Sequence, residues 1–218
     1  MELQRADIGF GTVIVDDRGV ERRGLIRTRS ITWDAIDEYR LGIELRTAPL
    51  DSYRHGSTPL GEILHAVDSL RGKNVVYHLD LELIGRDARV AFGWRFHDVH
   101  LAISEVLARI HDRLAARARA STPAMFGPLA LSADEVQWRG ARIERAEVER
   151  IELFDSSPVT LRVLALGKVL PFARASMAEV PNVLVALELA HELGYATGGG
   201  ELARAALSTP NRDVMHQG

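Results

Sequence analysis

The chain has 218 residues, with 27 basic against 30 acidic side chains, 46% hydrophobic and 26% charged residues, and no cysteine. About 45–50% apolar and about 25% charged is the balance of an ordinary globular protein, so collagen-like, disordered and disulfide-scaffold classes are excluded, and with them thiolate metal sites and cysteine nucleophiles. The formal net charge of -3 argues against a surface built to neutralise many nucleic-acid phosphates.

Met1 to Val15 holds no apolar run before a small-residue cleavage site, so it is expected to belong to the mature protein. No stretch of about 18 apolar residues occurs, and the expected location is the cytoplasm, with peripheral membrane attachment as the alternative. A duplication then organises everything downstream. Phe10-Gly11 recurs as Phe126-Gly127, Val20 as Val136, and Arg23-Gly24 as Arg139-Gly140, all at one offset of 116 residues. Past the Arg-Gly pair the second copy is four residues shorter, and Trp33-Asp34-Ala35-Ile36 resumes as Arg145-Ala146-Glu147-Val148. The contraction falls where a hairpin tip is expected.

In the first copy, Tyr77 to Leu83 alternates apolar and polar residues, Gly85-Arg86-Asp87 supplies a turn, and Arg89 to Trp94 returns, which is a hairpin. Val99, Ile103, Val106, Leu107, Ile110 and Leu114 then mark one face of a helix. Ser121-Thr122-Pro123 ends it. In the second copy, Val159 to Leu166, a tighter Gly167-Lys168 turn and a strand Val169 to Phe172 repeat the plan. A helix follows, with Val183, Leu184, Leu187, Ala190 and His191 on its face, Ser176 to Glu179 as a capping box at its start and Gly194 as its stop. Gly198-Gly199-Gly200 reads as a flexible linker to a short tail helix.

The expected fold is mainly β with α: two antiparallel β-barrels or sandwiches, each capped by a C-terminal amphipathic helix. The domains are 1–121, with an inserted helix near 58–71, and a shorter 122–195, followed by a Gly-rich linker and tail at 196–218. Each copy is expected to own a separate core. The short link holds the copies in contact, with the face between them burying apolar residues of the Leu60 to Leu70 helix or of a capping helix.

Phe-Gly before a strand, an Asp-Arg-Gly or Ala-Asp-Glu turn, a short strand ending in Arg-Gly, and Ile31-Thr32-Trp33-Asp34-Ala35-Ile36 together resemble the pleckstrin-homology (PH)-like superfamily, in particular small bacterial PH-like domains. Trp33, Trp94 and Trp138 fall in strand-like segments, and neither helix carries the tryptophan common in PH capping helices. The resemblance implies a binding scaffold used for phosphoinositides, peptides or oligomerisation. Lipid-binding members hold phosphates with a K-x(n)-[KR]-x-R motif, whose end Arg27-Thr28-Arg29 matches, with Arg22 or Arg23 nearest to the missing lysine.

Arg22, Arg23, Arg27 and Arg29 therefore form the expected anion site, with Arg23, Arg27 and Arg29 on one strand face and Asp16, Asp17 and Glu21 close enough to neutralise them. In the second copy Glu144, Glu147 and Glu149 interleave with Arg139, Arg142 and Arg145. The insertion in the first copy, Arg46 to Asn74, carries a helix capped by Thr58 and Pro59, whose Leu60, Ile63, Leu64 and Val67 are expected to meet a partner or the protein's own surface. His97 and His100 lack a third metal ligand by spacing, Ser104, Glu105, His111 and Asp112 do not form a triad, and Arg109, Arg113 and Arg117 read as a solvated helix end with Glu105 pairing Arg109. The expected function is a non-enzymatic interaction or assembly adaptor, without cofactor or metal, that binds a protein or itself. The alternative is peripheral binding of anionic lipid headgroups or a phosphorylated small ligand through the arginine cluster; nucleic acid is not expected.

Overall fold

The computed structural model describes residues 2–4, 11–47, 75–93, 99–201 and 207, and within them one order of elements occurs twice. Strands β1 (Glu2–Gln4), β2 (Thr12–Val15), β3 (Gly19–Arg23) and β4 (Thr28–Thr32) form one antiparallel sheet; β5 (Glu38–Thr47), β6 (Val75–Ile84) and β7 (Arg89–Gly93) form a second; helix α1 (Val99–Arg119) follows. Then β8 (Ala124–Phe126), β9 (Leu129–Leu131), β10 (Glu135–Trp138) and β11 (Ala141–Glu144) make a third sheet. Strands β12 (Val148–Phe154), β13 (Thr160–Ala165) and β14 (Ala173–Ser176) build a fourth, before α2 (Val183–Glu192). No sheet closes on itself, so the halves are sandwiches rather than barrels.

The registers repeat along with the order. Val15 pairs with Val20 and Val20 with Ile31; in the second half Leu131 pairs with Val136 and Val136 with Ile143. All six side chains are buried, because a period of two sends them to one sheet face. The contraction sits at the tip between β3 and β4. There residues 24–27 connect the strands, whereas Arg139-Gly140 suffices between β10 and β11, both with positive φ (49° and 87°), the geometry of a two-residue hairpin turn.

Helix α1 buries the expected face, Val99, Ile103, Val106, Leu107, Ile110 and Leu114. On α2 the buried set is Val183, Val185, Ala186, Leu189 and Ala190, while His191 is exposed, so this helix is turned from its expected orientation. The cause lies at its start. The capping box at Ser176 is real, but it caps a 3-10 turn, Met177–Glu179; α2 begins after Pro181, from Asn182 in a left-handed conformation. Gly194 ends it as expected, with φ 83° and hydrogen bonds from Gly194 N–H to His191 O and Tyr195 N–H to Ala190 O.

Three further expectations are corrected. Val169 to Phe172 is no strand but part of the 166–172 connection, and β14 starts only at Ala173, after Pro171. Trp33 begins a 3-10 turn (Trp33–Ala35) between β4 and β5, with Ile31 and Ile36 buried on either side. The glycine run is no linker: Thr197–Gly199 is strand β15, parallel to β12. A Cβ on Gly199 would stand 2.1 Å from Leu153 O, so only glycine permits this approach.

The halves meet along the outer edge of β5. Val159 N–H donates to Ile43 O (2.8 Å), Asn182 N–H to Tyr39 O (2.9 Å), and Tyr39 N–H to Asn182 Oδ1 (2.9 Å). The buried Tyr39 hydroxyl accepts from Leu184 N–H at 3.2 Å, and burial pushes its phenol above the usual value. Beside this seam α1 packs on α2, with the ionic contacts His111–Glu188 and Arg119 to Glu188 and Glu192 between them. Apolar contact continues through the seam, so the buried residues form one cluster instead of two separate cores. The inserted helix and its Leu60, Ile63, Leu64 and Val67 lie outside the described residues.

Candidate functional site

The β3–β4 hairpin positions the four arginines differently from the alternation expected. Arg22 and Arg29 are cross-strand partners, and Arg23 faces Thr28. Because Val20 and Ile31 point into the sandwich, Arg22 and Arg29, two residues on, share that inner face at its open end, and Arg23 lies on the outer face beside Glu21. Arg27 belongs to the loop. Arg22 donates from Nη1 to Ala91 O of β7 at 3.0 Å, tying the hairpin to the facing sheet. Arg23 pairs with Glu21.

Arg27 and Arg29 are exposed, and neither side chain is engaged by an ion pair or hydrogen bond among the described residues. The expected neutralisation by Asp16 and Asp17 does not reach them. Asp16 accepts from the Arg18 N–H (2.8 Å) and guanidinium in the β2–β3 turn, which holds its carboxyl below the usual range, and Asp17 lies 3.8 Å from Arg109. No acidic residue occurs between Arg22 and Trp33.

At the tip, Leu25 is 78% and Ile26 92% exposed. Sequence reading missed these two, although an apolar pair between arginines at the point where the copies differ in length was a signal. The second half has its own exposed apolar turn, Leu166, Val169 and Leu170, in the connection read as a strand. Its arginines are occupied: Arg139 reaches Glu179 and stacks on Trp138, Arg142 lies 4.0 Å from Glu135, and Arg145 donates to Gly194 O and stacks on Tyr195.

Behind the hairpin, an open groove of about 740 Å³ crosses the outer face of β5–β7 and is bounded by Pro158, Ser176 and Ala178 of the second half. Arg22 and Arg40 supply its positive charge, Glu44, Asp80 and Glu82 its negative charge. Glu82 is taken by Arg89. A mixed lining of this kind favours no single charge of ligand.

The helical arginines are not a solvated end. Arg109 pairs with Glu105 as expected, but also donates to Asp16 O and stacks on Trp33, Arg113 donates to Asp34 O and Ile36 O, and Arg117 pairs with Asp37. They lash α1 to the turns of the first sandwich. His100 is buried on α1, His97 lies outside the described residues, and Ser104 donates to Leu207 O. Among the described residues no three metal-ligating side chains cluster, and no helix is long and apolar enough to cross a membrane.

Residues 12–76 match the family model of a bacterial PH domain. The match runs from β2 to the start of β6 and includes the whole arginine hairpin. No curated protein matches the chain. A PH-like domain fits a role in binding.

Proposed function

We propose that this chain is a non-enzymatic interaction module, two PH-like halves divided near residue 121, which binds an anionic partner through the β3–β4 hairpin of the first half. One observation carries the reading. Arg27 and Arg29 stand exposed and unneutralised among the described residues, while Arg139, Arg142 and Arg145 of the second half each serve a contact within the fold. Guanidinium forks in this state suit phosphate oxygens, and Arg22 is the cross-strand partner of Arg29, with Arg23 opposite Thr28 on the other face. The second half supports the hairpin only indirectly, by fixing the edge of β5. Its exposed Leu166, Val169 and Leu170 favour the adaptor reading, as a contact surface for a protein.

Titration of the protein with inositol hexakisphosphate, a soluble polyanion, at low and high salt tests the reading. Binding should weaken as salt rises and fall at least about tenfold when Arg27→Ala is combined with Arg29→Ala, since each charge-assisted hydrogen bond contributes roughly 1.5–3 kcal/mol. Binding indifferent to salt and to the double variant sinks it.

A further inference from the structure

Glycine weakens a strand, because it gives up more conformational freedom than any other residue and offers no side chain to pack. Within β5–β7 two glycines nevertheless flank Asp80 on one rung, Gly42 on β5 and Gly93 on β7. The fold accounts for Gly93. A Cβ there would stand 1.7 Å from Asp80 Oδ1, so the carboxylate lies where a side chain would be. It does not account for Gly42, whose φ is not positive and whose added Cβ would meet nothing closer than Asp80 Cβ at 3.8 Å and Ala178 Cβ at 3.9 Å, ordinary contacts. What the missing side chain keeps open is the groove behind the hairpin, where Gly42 forms part of the floor.

The second half shows the same place filled. Aligned on the 3-10 turns Trp33–Ala35 and Arg145–Glu147, the buried pair Leu41 and Leu81 matches Leu153 and Leu161. The next rung is Gly42–Asp80–Gly93 in one half and Phe154–Thr160–Ser176 in the other. Phe154 carries the Arg162 guanidinium 3.7 Å from its ring centre. The first half keeps a guanidinium and two apolar walls without the ring, since Arg40, Pro158 and Ala178 all line the groove at Gly42.

We infer that this groove is a docking site for a protein partner that inserts one aromatic side chain over Gly42, against Pro158, Ala178 and Arg40, at the position where the second half carries Phe154. The site is independent of the hairpin tip, because neither Arg27 nor Arg29 lines it. Its lining carries both signs of charge, so a flat apolar ring fits better than a charged group, and bare backbone at Gly42 lets the ring lie close to the sheet. Arg40 stands two residues away, about 7 Å along β5, with a side chain long enough to bring its guanidinium within cation–π reach of that ring. A small molecule is bound by burying most of its surface, which an open groove does not do. A protein segment anchored by one ring needs only that ring buried.

The test titrates the full, isotope-labelled chain with capped pentapeptides Ser-Gly-X-Gly-Ser, X being Phe, Trp or Leu, and reads backbone amide shifts. The Phe and Trp peptides should move the amides of Gly42 and Ala178 saturably, and the Leu peptide should bind more weakly. Gly42→Phe fills the groove from within; it should keep the fold, read by circular dichroism, and lower peptide binding at least about tenfold. Arg40→Ala should lower it about two- to fivefold, the size of one exposed cation–π contact. The chain has no cysteine, so Gly42→Cys provides a single thiol, and a bulky maleimide on it should block the peptides as well. No saturable shift at Gly42 with any aromatic peptide, or binding that survives both Gly42→Phe and the maleimide, overturns the site. A Gly42→Cys thiol that resists the maleimide in the native chain means that the protein covers this groove itself, and overturns a partner there. Self-association of the wild type in light scattering that Gly42→Phe abolishes assigns the groove to a second copy of the chain and overturns a foreign partner.

Discussion

The hairpins β3–β4 and β10–β11 occupy the same place in the two halves and share a ladder, Val20 opposite Ile31 and Val136 opposite Ile143, yet their tips have parted. One ends in a long loop with an apolar apex and exposed arginines, the other in a two-residue turn whose arginine is held by Glu179 and Trp138. Core-facing pairs are fixed by packing, where an altered side chain leaves a cavity or a clash. A tip in water is under no such constraint, so it is where two copies of one scaffold can take different tasks.

If the ladders are equivalent, Ile31→Ala and Ile143→Ala should each cost about 2–5 kcal/mol in urea unfolding. Because the buried residues form one cluster, both should move a single transition. Two transitions, each answering to its own variant, would break the equivalence and restore two independent cores.

Tyr39→Phe isolates the seam between the halves, where the Tyr39 hydroxyl is the acceptor for a backbone donor at the start of α2. It strips Leu184 N–H of its acceptor, and a loss of about 1–2 kcal/mol is expected, again read by urea unfolding. No loss would mean that the Asn182 bonds alone hold the edge.

Gly140→Ala sharpens the contrast between tips. Nothing lies within 4 Å of the added Cβ, so its whole effect is the φ of 87°, worth roughly 1 kcal/mol. A neutral result in denaturant titration would show that the short turn is not conformationally strict.

The smallest effect is acid sensitivity between the capping helices. Arg119 holds the Glu192 carboxyl below the usual carboxylate range, chiefly by a side-chain hydrogen bond. With the folded value below the unfolded one, the stabilisation is complete above the unfolded value, about 4.3 for glutamate, and is lost as pH falls through the folded value. Melting temperature should therefore drop between about pH 5 and pH 3, and less steeply in Arg119→Ala. Equal slopes would remove the pair from the account.

The duplication, its contraction at the hairpin tip and the buried face of α1 were legible because each rests on spacing that burial enforces. Val169 and Leu170 misled because apolar residues before a strand look like the strand itself, and only their exposure, 99% and 79%, separates the two. Arg109, Arg113 and Arg117 had the spacing of a solvated row, but their partners, Asp16 O, Asp34 O, Ile36 O and Asp37, lie 77 to 93 residues away in sequence. Periodicity carries no information about such distant carbonyls. The arginine hairpin was found by composition, whereas its division into held and exposed members required the strand register and the facing sheet.

The closing of β5 by Val159 and Asn182 has a consequence for biosynthesis. Until those residues have left the ribosome, the first half presents a bare strand edge, a row of unpaired backbone groups open to any neighbouring nascent chain. The second half thus supplies, within the same chain, the groups that occupy part of this edge. Truncation after the first half is expected to give a chain that lacks both the closing bonds on β5 and part of the shared buried cluster and so aggregates, and restoring the missing segment in trans should be slower than the native closure, where the tether keeps Val159 and Asn182 close at hand.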